Sequence, residues 1–153
     1  MTSEESVFSV KKAEDSSGFL LWQVTSLWQR EQKRLLEQKH DITHAQYVLL
    51  ASLRWLSRTE TEITQKTLSD HSKIDAMTTS TVLRTLQQKQ LIKRQEHTKD
   101  TRAKAVELTP AGIELIDKAI PTVEAFDLAF FGMLGSKTAD LNLLLMELTK
   151  FKP

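Results

Sequence analysis

The sequence predicts a mainly helical chain that contains one small β-hairpin. Apolar side chains recur every three or four residues over most of its length, as in helices that are buried on one side. The first 108 residues contain one glycine, Gly18, and no proline, which favours helices joined by short polar turns. Two short strand-like runs, 91–96 and 105–108, flank a charged segment and indicate a hairpin.

The composition indicates a single globular domain. The chain has 153 residues, 40% hydrophobic and 27% charged, which is ordinary for a domain with one core. It has no cysteine, so disulfides and thiolate metal sites are excluded. No apolar run approaches the roughly 18 residues of a membrane span, and the polar, acidic N-terminus is unlike a signal peptide. We therefore expect a cytoplasmic protein that has no membrane partner.

No pattern in the sequence is typical of an enzyme or a metal site. The four glycines are isolated, at 18, 112, 132 and 135, and form no phosphate-binding loop. His40 and His44 are four residues apart, but a turn and a helix cap are expected between them and no third ligand is evident. We expect no catalytic activity, no cofactor and no bound metal.

Two helices are expected before residue 60. The spacing of apolar residues places the first from about Gly18 to Lys39, and Thr43 with Gln46 forms a capping box for the second. The buried side of the second helix is expected to include Tyr47, Leu50, Ala51, the stem of Arg54 and Trp55.

A helix-turn-helix is expected next. Its first helix covers about 63–71, with Leu68 inward, and its second begins at Asp75 or Met77. Apolar spacing gives the second helix a buried stripe of Thr79, Val82, Leu83 and Leu86. The opposite face bears hydroxyl, amide and guanidinium groups that suit base edges and phosphates, on Thr78, Ser80, Thr81, Arg84 and Gln88. An ordinary solvated helix face is the alternative interpretation.

The positive charge of the chain is concentrated in that second helix and the hairpin. Residues 81–108 contain seven basic and three acidic side chains, whereas the whole chain has a net charge of only +1. The hairpin tip, 97–104, has Lys99, Arg102 and Lys104 against one acid, Asp100. Localised basic charge indicates contact with nucleic acid. A helix-turn-helix followed by a basic hairpin is the layout of a winged helix.

The C-terminal part is expected to be helical from Thr109, a cap, and Pro110, which suits a first helical turn. Pro121 is expected to kink or break this helix, and Ser136 to cap the last one. The last helix is apolar on most sides, and the first is apolar over a wide arc. We interpret both as parts of a dimer interface; packing of the two termini within one chain is the alternative.

The segment D-T-R-A-K-A-V-E-L-T-P-A-G, residues 100–112, resembles the wing signature of the MarR family of winged-helix transcriptional regulators. Leu68, Leu83, Leu86 and the run Leu91-Ile92-x-Arg94 also agree with that family. Three residues depart from its usual pattern. Gln90 stands where a glycine usually ends the recognition helix, Thr81 where arginine is frequent, and Pro121 interrupts the following helix.

The resemblance implies an obligate dimer on double-stranded DNA, with recognition helices in successive major grooves and wings in adjacent minor grooves. Arg102 corresponds to the family's wing-tip arginine, and Asp100 to the acid that orients it. The expected DNA-binding residues are Thr78, Ser80, Thr81, Arg84, Arg94, Lys99, Asp100, Arg102 and Lys104. The family also implies release by a small aromatic effector, for which Trp22, Trp28, Tyr47 and Trp55 are candidate contacts, although buried aromatic residues are usually core.

The sequence therefore predicts a dimeric regulator, expected to be a repressor, on a near-palindromic operator. We expect one MarR-like domain over 1–153, with a DNA-binding lobe at 43–109 and dimerisation helices at 16–42 and 110–153. A non-catalytic interaction module that uses the apolar C-terminal helix is the main alternative. RNA binding is less favoured, because side chains cannot enter the narrow major groove of A-form RNA.

Overall fold

A computed structural model describes residues 6–96 and 104–153, and the two helices expected before residue 60 are present. In those described ranges the helices are α1 (Ser17–His40), α2 (His44–Leu56), α3 (Gln65–Ser72), α4 (Ala76–Gln88), α5 (Pro110–Gly132) and α6 (Thr138–Thr149). The strands are β1 (Ile63–Thr64), β2 (Ile92–Glu96) and β3 (Lys104–Leu108). The mainly helical fold with a small β-hairpin wing is confirmed. No helix in these ranges is long and apolar enough to cross a membrane.

The three strands form an antiparallel sheet in the order β1-β3-β2. Ile63 pairs with Val106, and Arg94 of β2 pairs with Val106 from the other side. The predicted helix start at residue 63 is therefore wrong, because Ile63 and Thr64 form a strand. Thr64 also caps α3, since its side chain accepts a hydrogen bond from the Thr67 amide. A strand of two residues is too short to show the alternation from which strands are predicted.

Helix α2 lies in the core of the chain. The predicted capping box is present, with Thr43 and Gln46 bonding each other's backbone amides. Leu49, Leu50 and Leu53 are almost fully buried. The expectation that Trp55 is buried is wrong, because its side chain is 61% exposed. The buried stripe of α2 lies on the side of Leu49 and Leu53, and Trp55, two residues after Leu53, points away from it.

Helix α5 continues through Pro121, so of the expected kink or break, the break is wrong. Proline has no N–H, so the carbonyl four residues earlier loses its backbone hydrogen bond. Because Pro121 is exposed, water can bond that carbonyl instead. Ala119 and Val123 on either side are buried and hold the helix against the core. Packing thus offsets the lost hydrogen bond.

The connection from α5 to α6 differs from the prediction in one respect. Ser136 lies in a short 3-10 turn, Gly135–Lys137, and does not cap α6, which has no side-chain cap. The Thr138 hydroxyl instead donates to the carbonyl oxygens of Phe131 and Gly135, both at 3.0 Å. The hydroxyl of the first residue of α6 therefore bonds one carbonyl group at the end of α5 and one in the 3-10 turn.

Candidate nucleic-acid interface

Helix α4 is fixed at its N-terminus by a side-chain cap. The carboxylate of Asp75 accepts a hydrogen bond of 2.9 Å from the Thr78 amide, so the predicted start of this helix is confirmed. Hydrogen bonds from the side chain and the amide of Thr78 lower the pKa of Asp75 below its ordinary value. Thr79, Leu83 and Leu86 are fully buried against the core. The cap and the buried stripe together determine which face of α4 points outward.

The outward face of α4 contains the polar residues expected from the sequence. Thr78, Thr81, Arg84 and Gln88 are exposed, whereas Ser80 is only half-buried at the edge of the face. Met77 also lies on this face, 80% exposed, and sequence reasoning missed it as a functional candidate. Its position four residues before Thr81 on the same face was the available signal. An exposed thioether can contact the methyl group of thymine, while the polar groups suit base edges.

The hydroxyl of Thr81 is partly occupied within α4. It donates a hydrogen bond of 3.1 Å to the Met77 carbonyl, one turn earlier. The hydroxyl oxygen keeps its capacity to accept a hydrogen bond, and its methyl group stays at the surface. Thr81 therefore offers an acceptor and a small apolar contact where many family members, by the resemblance, have a guanidinium.

The corner between α4 and β2 is formed by Gln90 in the left-handed conformation, at φ +61°. The Gln90 amide bonds the Gln87 carbonyl at 2.9 Å, and the Leu91 amide bonds the Leu86 carbonyl at 3.0 Å. These two bonds are the Schellman pattern that usually has glycine at this position. The corner thus keeps the shape a glycine would give, at the cost of backbone strain.

The base of the hairpin is attached to α5 through close backbone contact. The Thr109 amide bonds the Leu91 carbonyl oxygen at 3.0 Å, and the Thr109 side chain caps α5 by accepting from Gly112 at 3.0 Å. A Cβ at Gly112 would lie 2.0 Å from the same Leu91 oxygen. Only glycine fits this approach, so Gly112 determines how the hairpin sits on α5.

The hairpin tip lies outside the described residues, and with it three of the predicted contacts, Lys99, Asp100 and Arg102. Lys104 is exposed at the start of β3. Arg94 is half-buried, and its guanidinium donates from Nε to Gln87 at 2.8 Å and from Nη1 to Gln65 at 2.9 Å. Sequence reasoning gave no role to these two glutamines.

The four aromatic candidates do not share one cavity. Tyr47 and Trp55 border an open groove of about 410 Å³ between α2 and α5, next to Arg54 and Asp117. Arg54 forms a double hydrogen bond with Asp117, at 2.8 and 3.1 Å. Trp22 lies apart on the exposed side of α1, with 71% of its surface accessible.

Trp28 belongs to a polar cluster between α1, α2 and α5. Its indole N–H and the Gln32 amide both donate to Oδ1 of Asp127, at 2.8 and 2.9 Å. His44 packs edge-on against the Trp28 ring, and burial lowers the pKa of His44. Burial, with the charges of acids on α5, raises the pKa of Tyr47 to about 12. Trp28 therefore connects helices rather than lining the groove.

A helix with an outward polar face, followed by a basic hairpin that is fixed at its base, defines a winged-helix DNA-binding domain. Residues 38–124 match the family model described as ArnR1-like, winged-helix domain. The chain is 41% identical over 122 residues to the uncharacterised HTH-type transcriptional regulator YdcH of Bacillus subtilis, over 80% of this chain and 82% of that protein.

Solved structures show the same fold. One is the complex of MepR from S. aureus with DNA, 25% identical, which matches 87% of this chain and 98% of MepR at a TM-score of 0.76. Another is BpsR of Bordetella bronchiseptica, whose DNA binding is regulated by 6-hydroxynicotinic acid; it is 21% identical and matches 92% of this chain and 96% of BpsR at a TM-score of 0.78. The chain belongs to the MarR family of winged-helix transcriptional regulators. It is a transcriptional regulator with a DNA-binding winged helix.

Proposed function

We propose that the protein is a homodimeric repressor that binds a near-palindromic operator and is released by a small aromatic effector. The observation that best supports the proposal is the outward stripe of α4, Met77, Thr81, Arg84 and Gln88, which lies opposite the buried stripe of the same helix. A helix of this kind fits the major groove, where base edges are distinguishable.

The dimer is proposed from the apolar surface of the terminal helices. Helix α6 has no buried residue, and its leucines at 143, 144 and 148 are each more than half exposed. Phe19, Leu21 and Leu27 of α1 are also exposed. Apolar surface of this extent is typical of an interaction site, and a second copy related by a two-fold axis would cover both helices at once. Packing of α6 within its own chain leaves these leucines open, so that alternative is not favoured.

Dimerisation has a direct test. The substitution Leu144→Glu places a charge on the exposed apolar face of α6 and is expected to yield a monomer with weakened operator affinity. Light scattering in solution measures the mass, and Asn142→Glu, which adds the same charge to an exposed position on the other side of α6, is the control. A monomeric wild-type protein at micromolar concentration contradicts the proposed assembly.

The wing is proposed to enter the minor groove through Arg102, as the family resemblance implies. A narrow, A·T-rich groove has enhanced negative potential and attracts arginine. The substitution Arg102→Ala should weaken operator binding and leave the folded dimer intact. Fluorescence anisotropy at fixed salt measures the affinity, and an unchanged dissociation constant removes the wing from the proposed interface.

The effector is proposed to bind in the groove between α2 and α5. Tyr47 and Trp55 offer aromatic surface there, and the guanidinium of Arg58 stacks 4.2 Å above the Trp55 ring. An aromatic acid would find both a stacking surface and a cation. It would release DNA only if it preferred a different separation of the two recognition helices. The substitution Trp55→Ala should abolish the response to the effector while DNA binding without effector is retained.

Salt dependence separates the proposed function from a protein-interaction module. A DNA-binding dimer releases counterions, so its affinity for duplex falls steeply as salt rises. An adapter that uses the apolar α6 shows no such dependence. Repression itself is tested with a reporter gene placed behind the operator, whose expression should fall when the protein is produced.

A further inference from the structure

The guanidinium of Arg94 is held in position by hydrogen bonds, but no residue that the structure describes neutralises its charge. Its two hydrogen bonds, 2.8 Å to Gln87 and 2.9 Å to Gln65, end on neutral amide oxygens. No carboxylate among the side chains that the structure describes forms an ion pair with it. A half-buried cation without a counter-ion is unfavourable unless another anion approaches. The arrangement orients Arg94 and leaves its charge available.

Arg94 also lines a concavity between α4 and the base of the hairpin. This concavity of about 300 Å³ is lined by Gln87, Arg94, Gln95 and Lys104. Lys104 is exposed and adds a second cation. The guanidinium has five N–H donors, of which the glutamines use two, so three remain. The concavity therefore combines two cations, unused donors and room for a tetrahedral anion.

The position of the concavity, between α4 and the hairpin, is the reason for assigning it a phosphate of the DNA backbone. With α4 in a major groove and the wing in the adjacent minor groove, one sugar-phosphate strand separates the two grooves. That strand must cross the protein between α4 and the hairpin, where the concavity lies. We propose that Arg94, with Lys104, binds a backbone phosphate of this strand, and that Gln65 and Gln87 are positioning residues for Arg94. The inference rests on the proposed function, in which α4 and the wing both contact duplex DNA.

The proposal differs in its consequences from a purely structural role for Arg94. A phosphate contact contributes equally to any duplex sequence, whereas a base contact contributes to one. A phosphate contact also adds about 0.9 to the steepness of the slope of log affinity against log salt concentration, for each DNA-binding lobe that is bound. A bracing interaction between β2, α3 and α4 alters thermal stability and leaves that slope unchanged.

The test is a salt titration of duplex binding by fluorescence anisotropy, on the selected operator and on a scrambled duplex. For Arg94→Gln we expect the slope to fall by about 0.9 per lobe, a loss of roughly eightfold per lobe at about 0.1 M salt, equal on both duplexes. Lys118→Gln on α5 removes the same charge far from the interface and should leave the slope unchanged. Gln87→Leu keeps the cation, so it should lower affinity with little change of slope.

Lys104→Gln keeps the proposal testable if Arg94→Gln does not fold, because Lys104 is exposed at the start of β3. It should also lower the slope by about 0.9 per lobe. An unchanged slope in folded Arg94→Gln, or in Lys104→Gln when the other variant is unfolded, overturns the proposal. A loss confined to one duplex sequence also overturns it. Failure of the wild-type protein to bind either duplex contradicts the proposed function itself, whereas wild-type binding with an unchanged variant slope contradicts only this inference.

Discussion

The substitution Gly112→Ala tests how the wing is fixed to the body of the protein. The added Cβ would lie 2.0 Å from the Leu91 carbonyl oxygen and 3.3 Å from a methyl group of Leu108. The close atom belongs to the backbone, so no side-chain rotation relieves the overlap. Either α5 or the start of the hairpin has to move, and the bond between the Thr109 amide and Leu91 lengthens or breaks.

The size of the effect follows from these two losses. Overpacking costs about 1–3 kcal/mol, and a lost backbone hydrogen bond costs about 0.5–1.5 kcal/mol. We expect Gly112→Ala to lower the free energy of unfolding by about 2–4 kcal/mol, which lowers Tm by about 5–15 °C in a chain of this length. Operator affinity should also fall, because the hairpin moves relative to α4.

Thermal denaturation followed by circular dichroism measures this prediction. Gly18→Ala is the matched control, because Gly18 also lies in a first helical turn but has no atom within 4 Å of an added Cβ. Alanine is the better helix former, so the control should be neutral or stabilising by up to about 1 kcal/mol. If Gly112→Ala melts within 2 °C or so of the control, the close approach is not a determinant of stability.

Three further predictions concern other residues of the fold. Gln90→Gly should raise the free energy of unfolding in urea by about 1 kcal/mol, because glycine adopts the left-handed conformation without strain; Gln90→Ala should give no such gain. Asp75→Ala should lower Tm at neutral pH, because the pKa of Asp75 is lowered in the folded state. The higher Tm of the wild-type protein should be fully present above the ordinary pKa of 3.8 and should vanish as pH falls through the lower pKa of the folded state. A difference in Tm that does not vary with pH contradicts the cap. The lowered pKa of His44 means that wild-type stability is complete above the ordinary value of 6.5 and declines below it, so His44→Phe should flatten the pH profile of Tm between about pH 7 and 5.

The helix-turn-helix and the hairpin could be predicted because their signals are local. The buried stripe of α4, its start next to Asp75 and the Thr109-Pro110 start of α5 each depend on residues within one or two turns, and the structure has them where the sequence placed them. The opposite face of α4 followed from the same periodicity. Local patterns therefore gave both the elements and the side of α4 that is proposed to face DNA.

Features that depend on residues distant in sequence could not be predicted. Ile63 is a strand residue only because Val106 lies beside it, and Arg94 is positioned only because Gln65 and Gln87 meet it from two helices. The continuity of α5 through Pro121 depends in the same way on packing of the residues around it. The pattern of residues along the sequence gives no signal for these contacts, because the contacting residues are brought together only by tertiary folding.

Selection of bound sequences from random duplex DNA tests the central claim most directly. If two copies each place α4 in a major groove, the selected sequences should share a two-fold-symmetric motif whose half-sites are about 10 bp apart. Substitution of Arg84 by alanine should relax the preference at one position in each half-site. Absence of any enriched motif at low salt, or enrichment of a single asymmetric half-site, would contradict a dimeric operator-binding regulator.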